Sequence, residues 1–117
     1  MHLVIDGVAK VFTAEKADPI DFVYSLLVDL TEVIGMQAIT PPYVIRYAGE
    51  NGDGWEEGIS GFTLISTSHI AIHTWFADGR FTLDIYSCKN FDSSLVYLWL
   101  VEALENPEKM ETQIIRR

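Results

Sequence analysis

The stretch GISGFTLISTSHIAIHTWFADGRFTLDIYSC, residues 58–88, decides the fold. It holds three runs that are rich in β-branched and aromatic side chains. These runs predict strands over 59–66, 69–75 and 81–87. The last two are separated by Asp78-Gly79, a strong hairpin signal because glycine readily takes the positive φ of tight turns. Strands joined in this way pair antiparallel, so the centre of the chain predicts a mainly antiparallel sheet.

Working outward, the chain carries two helices and further strands. After Asp18 and Pro19, which suit the N-cap and the first helical position, apolar residues recur at three- and four-residue spacing until Gly35 ends the helix. A second helix is expected from the N-cap Asp92 to the residues before Pro107. Further strands are expected over 2–11, within 38–48 and over 112–115. This order predicts one domain over residues 1–117, of α+β class: a two-layer α/β sandwich with two helices on one face of the sheet.

The second face of this sheet is also apolar in the sequence. In the strand predicted over 69–75, Ile70 and Ile72 stand at one parity and Ala71 and Trp75 at the other. In the strand predicted over 81–87, Phe81, Leu83 and Ile85 stand at one parity and Tyr86 at the other. Apolar residues at both parities indicate that both faces are covered. The simplest cover for the second face is another copy of the chain, so we expect a homodimer.

Composition narrows the classes of function. The 117 residues include 49% apolar side chains, 8 Lys+Arg and 17 Asp+Glu, for a net charge of −9. A charge of this sign argues against a nucleic-acid partner, and no apolar run is long enough for a membrane span. The first ten residues show no signal-peptide pattern, so a cytoplasmic location is expected. The single cysteine, Cys88, excludes an internal disulfide framework and a cysteine-rich zinc site, and no metal is expected.

The segment 49–58 is rich in glycine and carries four carboxylates. These could attract a cation, but a solvated loop is the simpler interpretation.

Hydroxyl, imidazole and thiol groups cluster between Ser66 and Cys88. Such groups serve nucleophilic attack and proton transfer, although each taken alone is more often a packed structural residue. A zinc site built on His69, His73 and Cys88 lacks a fourth ligand at a familiar spacing. A Cys-His hydrolase lacks a nucleophile elbow or a helix start before Cys88.

The order of these residues is more informative. Three segments keep a familiar spacing: Gly58-Ile59-Ser60-Gly61, Ser68-His69-Ile70-Ala71-Ile72-His73-Thr74-Trp75 and Asp84-Ile85-Tyr86-Ser87-Cys88. They resemble the prokaryotic S-adenosylmethionine decarboxylase proenzyme family, which is pyruvoyl-dependent. That family carries Gly-Val-Ser-Gly, then Glu-Ser-His-x-x-Ile-His-Thr-Trp-Pro-Glu, then Asp-(Val/Ile)-(Phe/Tyr)-Thr-Cys. The likeness extends more weakly over nearly the whole chain.

The resemblance implies a cofactor made from the chain itself. The Ser68 hydroxyl would attack the Thr67 carbonyl carbon, and elimination would then leave fragments 1–67 and 68–117, with a pyruvoyl group in place of Ser68. Ser60 and His73 match the residues that assist this processing. The pyruvoyl carbonyl would form a Schiff base with the substrate amine, and Cys88 matches the acid that reprotonates the substrate carbon. The implied reaction is decarboxylation of S-adenosylmethionine for spermidine and other polyamine biosynthesis, without a metal.

Three positions depart from the family pattern. Thr67 stands where the family has Glu, which affects the geometry of cleavage. Ala77 stands where the family has the Glu that holds the substrate ribose, and Asp78 is the candidate replacement. Asp6 stands where the family has a Glu in the first strand and is a second candidate for substrate binding.

Two alternatives therefore stay open beside the main interpretation. One is a pyruvoyl decarboxylase of another amino acid, such as arginine or ornithine. The other is an unprocessed, non-catalytic homologue that acts as a binding or regulatory subunit.

Overall fold

The computed structural model describes residues 1–13, 19–49 and 56–116. Within these residues the chain forms six strands, two helices and one 3-10 turn. In chain order they are β1 (His2–Val8), the 3-10 turn (Lys10–Phe12), α1 (Pro19–Val33), β2 (Tyr43–Tyr47), β3 (Gly58–Ile65), β4 (Ser68–Thr74), β5 (Arg80–Tyr86), α2 (Ser93–Ala103) and β6 (Lys109–Ile115).

The six strands form one sheet in the order β2-β3-β4-β5-β1-β6, and every neighbouring pair is antiparallel. Hairpins connect β3 to β4 and β4 to β5, and the sequence predicts the second of them through Asp78-Gly79. The first strand inserts between β5 and the last strand, so both ends of the chain lie in the same half of the sheet. The predicted fold class is confirmed; its dimer part stays a prediction.

Both helices pack on one face of the sheet. The sheet supplies alternate residues of each strand to this core, among them Leu3, Ile5, Ile70, Ile72, Phe81, Leu83 and Ile85, and the helices supply Val23, Leu27, Leu30, Val96 and Leu100. All of these are at most 3% exposed, because a strand points every second side chain to the same face.

The predicted helix boundaries agree with the structure where it describes them, except that α2 ends at Ala103, earlier than the predicted end just before Pro107. Gly35 has a φ of +72° and its N–H donates to the Glu32 carbonyl at 2.9 Å, while the Met36 N–H donates to the Thr31 carbonyl at 3.0 Å. These bonds satisfy carbonyls that the helix end would otherwise leave open. At the start of α2, Asp92 Oδ1 accepts from the Leu95 N–H at 3.1 Å. Asp18 lies outside the described residues.

The first strand is shorter than predicted. The sequence predicts a strand to Val11, but the strand ends at Val8 and the Ala9 N–H donates to the Gly79 carbonyl at 2.9 Å. The 3-10 turn that follows places the side chains of Val11 and Phe12 in the core. Burial of these side chains, rather than strand pairing, sets the conformation of residues 10–12, and local β propensity does not report it. Most of the predicted acidic loop lies outside the described residues.

The sheet face away from the helices carries His69, Ala71 and His73 of β4, and we call it the open face. Strand register aligns its side chains in rows across the sheet, one of which runs Ile45, Ser60, His73, Thr82, Asp6 and Glu111. Large apolar side chains on this face are exposed in the single chain. They include Tyr43, Ile45, Tyr47, Phe62, Leu64 and Ile115, which are between 40% and 59% exposed.

Candidate active site

The turn between β3 and β4 holds the peptide bond that the sequence marks for cleavage. Ile65 pairs with Ser68, so the loop consists of Ser66 and Thr67 alone. Thr67 is exposed and has a φ of +60°, whereas Ser68 begins β4 and its residue is only 9% exposed. The Thr67–Ser68 bond therefore lies where an exposed turn enters the sheet.

Strand β5 ends beside this turn and places Cys88 against it. The Cys88 Sγ donates to the Thr67 carbonyl oxygen at 3.3 Å, and the Cys88 N–H donates to Ser68 Oγ at 3.3 Å. A hydroxyl, the carbonyl of the preceding residue and a thiol thus form one cluster, which we call the turn cluster. Met1 helps to fix the backbone next to Cys88, because the Met1 carbonyl accepts from the Ser87 N–H at 2.9 Å.

A second cluster lies on the open face. Ser60 Oγ and His73 Nδ1 are 2.8 Å apart, and their strands bring them together because Ser60 is the direct partner of His73 in the β3–β4 register. We call this contact the Ser-His pair. It lines a cavity of about 240 Å³ together with Tyr47, Glu56 and Trp75. An imidazole held by a hydroxyl can take up or deliver a proton.

The two clusters are separate within one chain. Ser68 and His73 are five residues apart on β4, a distance of about 17 Å along a strand. Because five is an odd number, their side chains also point to opposite faces: Ser68 shares the helix-covered face with Ile70, and His73 lies on the open face. The structure therefore brings Thr67, Ser68 and Cys88 together, and Ser60 and His73 together, but keeps the two groups apart.

The two candidate substrate-binding carboxylates differ in position. Asp6 lies on the open face, two strands from His73 in the same row, a separation of about 10 Å. Asp78 lies in the β4–β5 turn, where its Oδ1 accepts from the Arg80 N–H at 3.0 Å. One oxygen of Asp78 thus serves the turn, while Asp6 faces the side of the sheet that carries the Ser-His pair.

Sequence reasoning missed three contributors to these clusters. The Tyr86 ring lies between His69 and His2, with centroid distances of 5.6 Å and 6.0 Å, and its hydroxyl is 3.9 Å from the Cys88 Sγ. Its position two residues before Cys88 is the sequence feature that could have identified Tyr86 as a neighbour of the thiol. Gln37 accepts from the Ser66 N–H at 3.2 Å, and Glu56 lines the cavity of the Ser-His pair; neither stands out in the sequence.

The described residues contain no group of three or more His, Cys, Asp or Glu side chains that could hold a metal ion. Among the same residues, no helix is long and apolar enough to cross a membrane.

These features together define a class of protein. A small two-layer α+β domain carries a threonine–serine bond at a hairpin turn, with a thiol on the threonine carbonyl and a separate hydroxyl–imidazole pair. Such an arrangement is suited to chemistry on the chain's own backbone.

The chain belongs to the S-adenosylmethionine decarboxylase family, whose model matches residues 1–117. It is 32% identical over 104 residues to the S-adenosylmethionine decarboxylase proenzyme of Clostridium botulinum (strain Loch Maree / Type A3), covering 88% of this chain and 81% of that protein. The proenzyme of the Langeland strain is 47% identical over 49 residues, which is 41% of this chain and 42% of that one.

A solved structure shares the fold. The crystal structure of the adenosylmethionine decarboxylase from Aquifex aeolicus VF5 matches with a TM-score of 0.69 at 24% identity, covering 99% of this chain and 92% of that one. The family resemblance predicted from the sequence is confirmed by the family model and by the Clostridium botulinum relative.

Proposed function

We propose that this protein is a proenzyme that cleaves itself between Thr67 and Ser68 and then decarboxylates S-adenosylmethionine. The observation that carries the proposal is the contact of the Cys88 Sγ with the Thr67 carbonyl oxygen, next to the Ser68 hydroxyl. Family membership supports the reaction type, a carboxy-lyase, and the product would serve spermidine biosynthesis.

The first step is an isomerisation that needs no co-reactant. The Ser68 Oγ bonds to the Thr67 carbonyl carbon, the carbon–nitrogen bond breaks, and the hydroxyl proton ends on the freed amine. Negative charge builds on the Thr67 oxygen as the carbon becomes tetrahedral. The Cys88 S–H already donates to that oxygen, so it is placed to stabilise the charge.

The second step splits the ester. A base removes the Ser68 α-hydrogen, and the Thr67 carboxylate leaves with the ester electron pair. The remaining dehydroalanine takes up one water and releases ammonia, which yields the pyruvoyl group at residue 68. An imidazole is a suitable base, and His73 is assigned this role by its match to the family motif.

The residues around Ser68 fit a pyruvoyl group. Processing would remove Ser68 Oγ with the Thr67 carboxylate and put the ketone oxygen on the Ser68 Cα, in place of the nitrogen. The Cys88 N–H, which donates to Ser68 Oγ in the intact chain, would then be a free donor next to the group. When formed, the group supplies an electrophilic carbonyl that withdraws electrons as carbon dioxide leaves the substrate. The exposed Cys88 thiol next to it is placed to return a proton to the substrate carbon.

His73 cannot reach Ser68 within one chain, which points to a site shared by two chains. In a two-fold homodimer with open faces in contact and the axis running across the strands, each residue near one end of β4 meets a residue near the other end of the partner's β4. A two-fold axis near Ala71, midway along the strand, brings the Ser-His pair of one chain towards the turn cluster of the other. The homodimer we propose therefore completes two active sites at once.

The exposed side chains support this interface. Tyr43 and Phe62 stack at 5.7 Å on the open face and are 59% and 45% exposed in the single chain. Ala71, at the proposed axis, is small enough for two sheets to approach closely. Burial of such apolar area is the main drive for stable association.

A second candidate keeps the chemistry and changes the substrate. Ala77 offers no carboxylate to a ribose, and an oxygen of Asp78 is engaged in its turn. Asp6 and Asp84 on the open face would suit a basic amino acid such as arginine or ornithine. An unprocessed, non-catalytic homologue is the third reading that the departures at Thr67 and Ala77 leave open.

One experiment separates these functions. Freshly purified protein is followed by denaturing electrophoresis and intact mass, and then assayed for release of carbon dioxide from carboxyl-labelled S-adenosylmethionine, arginine and ornithine. We expect fragments 1–67 and 68–117 and release from S-adenosylmethionine. Cleavage with release only from a basic amino acid would favour the second candidate, and a stable uncleaved chain would contradict both enzymatic proposals.

A further inference from the structure

The turn at the cleavage site has an unfavourable backbone. Thr67 takes a φ of +60°, a region that costs energy for any residue with a Cβ and more for a β-branched one. Two-residue hairpin loops of the favoured types have positive φ at their first residue, which here is Ser66. Only Thr67 of these two loop residues has a positive φ. The loop therefore adopts neither of the turn types that match the twist of its strands.

Contacts on both sides hold the turn in this conformation. On one side the Ser66 N–H donates to the Gln37 carbonyl at 3.2 Å, and Ala38 bridges to Ile65. On the other side the Cys88 Sγ holds the Thr67 carbonyl. Within the loop, the Thr67 hydroxyl donates to the Ser66 carbonyl at 2.6 Å. Strain of this kind persists only where neighbouring structure fixes it, and such positions are common at functional sites.

We propose that Thr67 is a positioning residue whose strained backbone drives the acyl shift that opens the Thr67–Ser68 bond. This inference rests on the proposed function and adds to it a source of driving force. In the shift, the new bond joins the Thr67 carbon to Ser68 Oγ and the peptide carbon–nitrogen bond breaks. The link between the Thr67 carbon and the Ser68 Cα then contains one more atom, and its Oγ–Cβ and Cβ–Cα single bonds can rotate. The loop lengthens and Thr67 returns to negative φ. The strain energy of the peptide form is therefore released in the ester form.

The proposed role depends on residue 67 being a threonine. The family motif has Glu at this position, and an unbranched side chain suffers less at positive φ than a branched one. Thr67 therefore raises the energy of the intact peptide above that of the family residue. The clamp formed by Gln37 and Cys88 prevents the turn from relaxing before the chemistry occurs.

The test measures the ester population directly. In a His73→Ala background, which blocks elimination, hydroxylamine splits the ester but not the peptide, so the fraction split reports the position of the shift. We expect Thr67→Gly to lower the ester-to-peptide ratio by about 5- to 30-fold, because glycine takes positive φ without penalty. Thr67→Asn should fall between, since asparagine tolerates this region. Thr67→Val keeps the branched Cβ and should rank with threonine rather than with glycine.

Thermal unfolding in a Ser68→Ala background supplies a readout that needs no chemistry. There we expect the reverse order, with Thr67→Gly the most stable and Thr67→Val close to threonine. A Thr67→Gly chain with an undiminished ester ratio, or with lower stability than threonine, would overturn the strain proposal while leaving the proposed function in place. A wild-type chain that never cleaves would instead overturn the proposed function, and with it any coupling of strain to the shift.

Discussion

The two ends of strand β4 carry different chemistry. At its start, Ser68 lies beside the Thr67 carbonyl and the Cys88 thiol, which are the parts needed to open a peptide bond. Near its end, His73 is held by Ser60, a pair suited to proton transfer. The two ends are about 17 Å apart and their side chains leave opposite faces of the sheet. A motif that is continuous in sequence is thus divided in space, and in the proposed mechanism each half supplies a group that the other lacks.

The largest effect is expected at the nucleophile of the turn cluster. Ser68→Ala removes the hydroxyl that we propose attacks the Thr67 carbonyl carbon, so cleavage should be lost entirely, as judged by intact mass after prolonged incubation. Ser66→Ala is the matched control, because it removes a neighbouring exposed hydroxyl of the same turn. Fragments that persist in the Ser68→Ala chain would remove Ser68 from this role.

The thiol of the same cluster should have the next largest effect. Cys88→Ala removes the proposed proton donor beside residue 68, and decarboxylation by the cleaved form should fall by about 10²- to 10⁴-fold. Self-cleavage should slow less, because a thiol is a weak hydrogen-bond donor to the Thr67 oxygen. Single-turnover rates measure the first quantity and electrophoresis the second.

Cys88→Ser is the matched variant here. Its hydroxyl keeps a donor near the Thr67 carbonyl but is a poorer acid, so cleavage should recover more than turnover. Full decarboxylation by the Cys88→Ala enzyme would exclude the thiol as the proton donor.

The interface that would unite the two ends can be weakened from the open face. Phe62→Lys places a charge within the exposed aromatic patch, and we expect the dimer dissociation constant from sedimentation to rise by roughly 30-fold or more. Leu98→Lys changes an apolar residue of α2 that is 67% exposed and lies on the helix side. This control should leave the association unchanged. Equal behaviour of the two variants would argue against the open face as the interface.

The smallest effect concerns the substrate. Ala77→Glu restores the carboxylate that the family motif carries, and its hydrogen bonds to a ribose should lower the KM for S-adenosylmethionine by roughly tenfold. Ala77→Gln is the control, since it has a similar shape without the charge. If the wild-type enzyme prefers a basic amino acid, Ala77→Glu should leave that KM nearly unchanged, and a parallel fall for both substrates would contradict a specific ribose contact.

Much of the fold follows from local patterns, and the rest depends on distant pairing. Gly35 and Asp92 mark helix ends because one takes positive φ and the other accepts an N–H, and both effects are local. The insertion of β1 between β5 and β6 depends on contacts between residues far apart in sequence, which no local pattern encodes. The early end of β1 has the same origin, since it follows from burial of Phe12.

The candidate site was predictable residue by residue but not as an assembly. The family motif points to Thr67, Ser68, His73 and Cys88. The spacing of Ser68 and His73 also implies the separation of the two clusters that the structure shows. An odd number of steps along a strand places Ser68 and His73 on opposite faces, and this arithmetic was available from the sequence. The hydrogen bond from the Ser66 N–H to the Gln37 carbonyl joins the hairpin turn to a loop distant in sequence, and the sequence does not reveal such a contact.

The shared site is tested most directly by mixing two inactive chains. Ser68→Ala and His73→Ala chains are co-expressed with different tags, purified as the mixed dimer, and analysed by intact mass. If His73 acts across the interface, the His73→Ala chain has its own Ser68 and a partner with an intact His73, so it should be cleaved into 1–67 and 68–117. Each variant expressed alone should stay whole. A mixed dimer in which both chains stay whole, while the wild-type dimer cleaves, would contradict a site built from two chains.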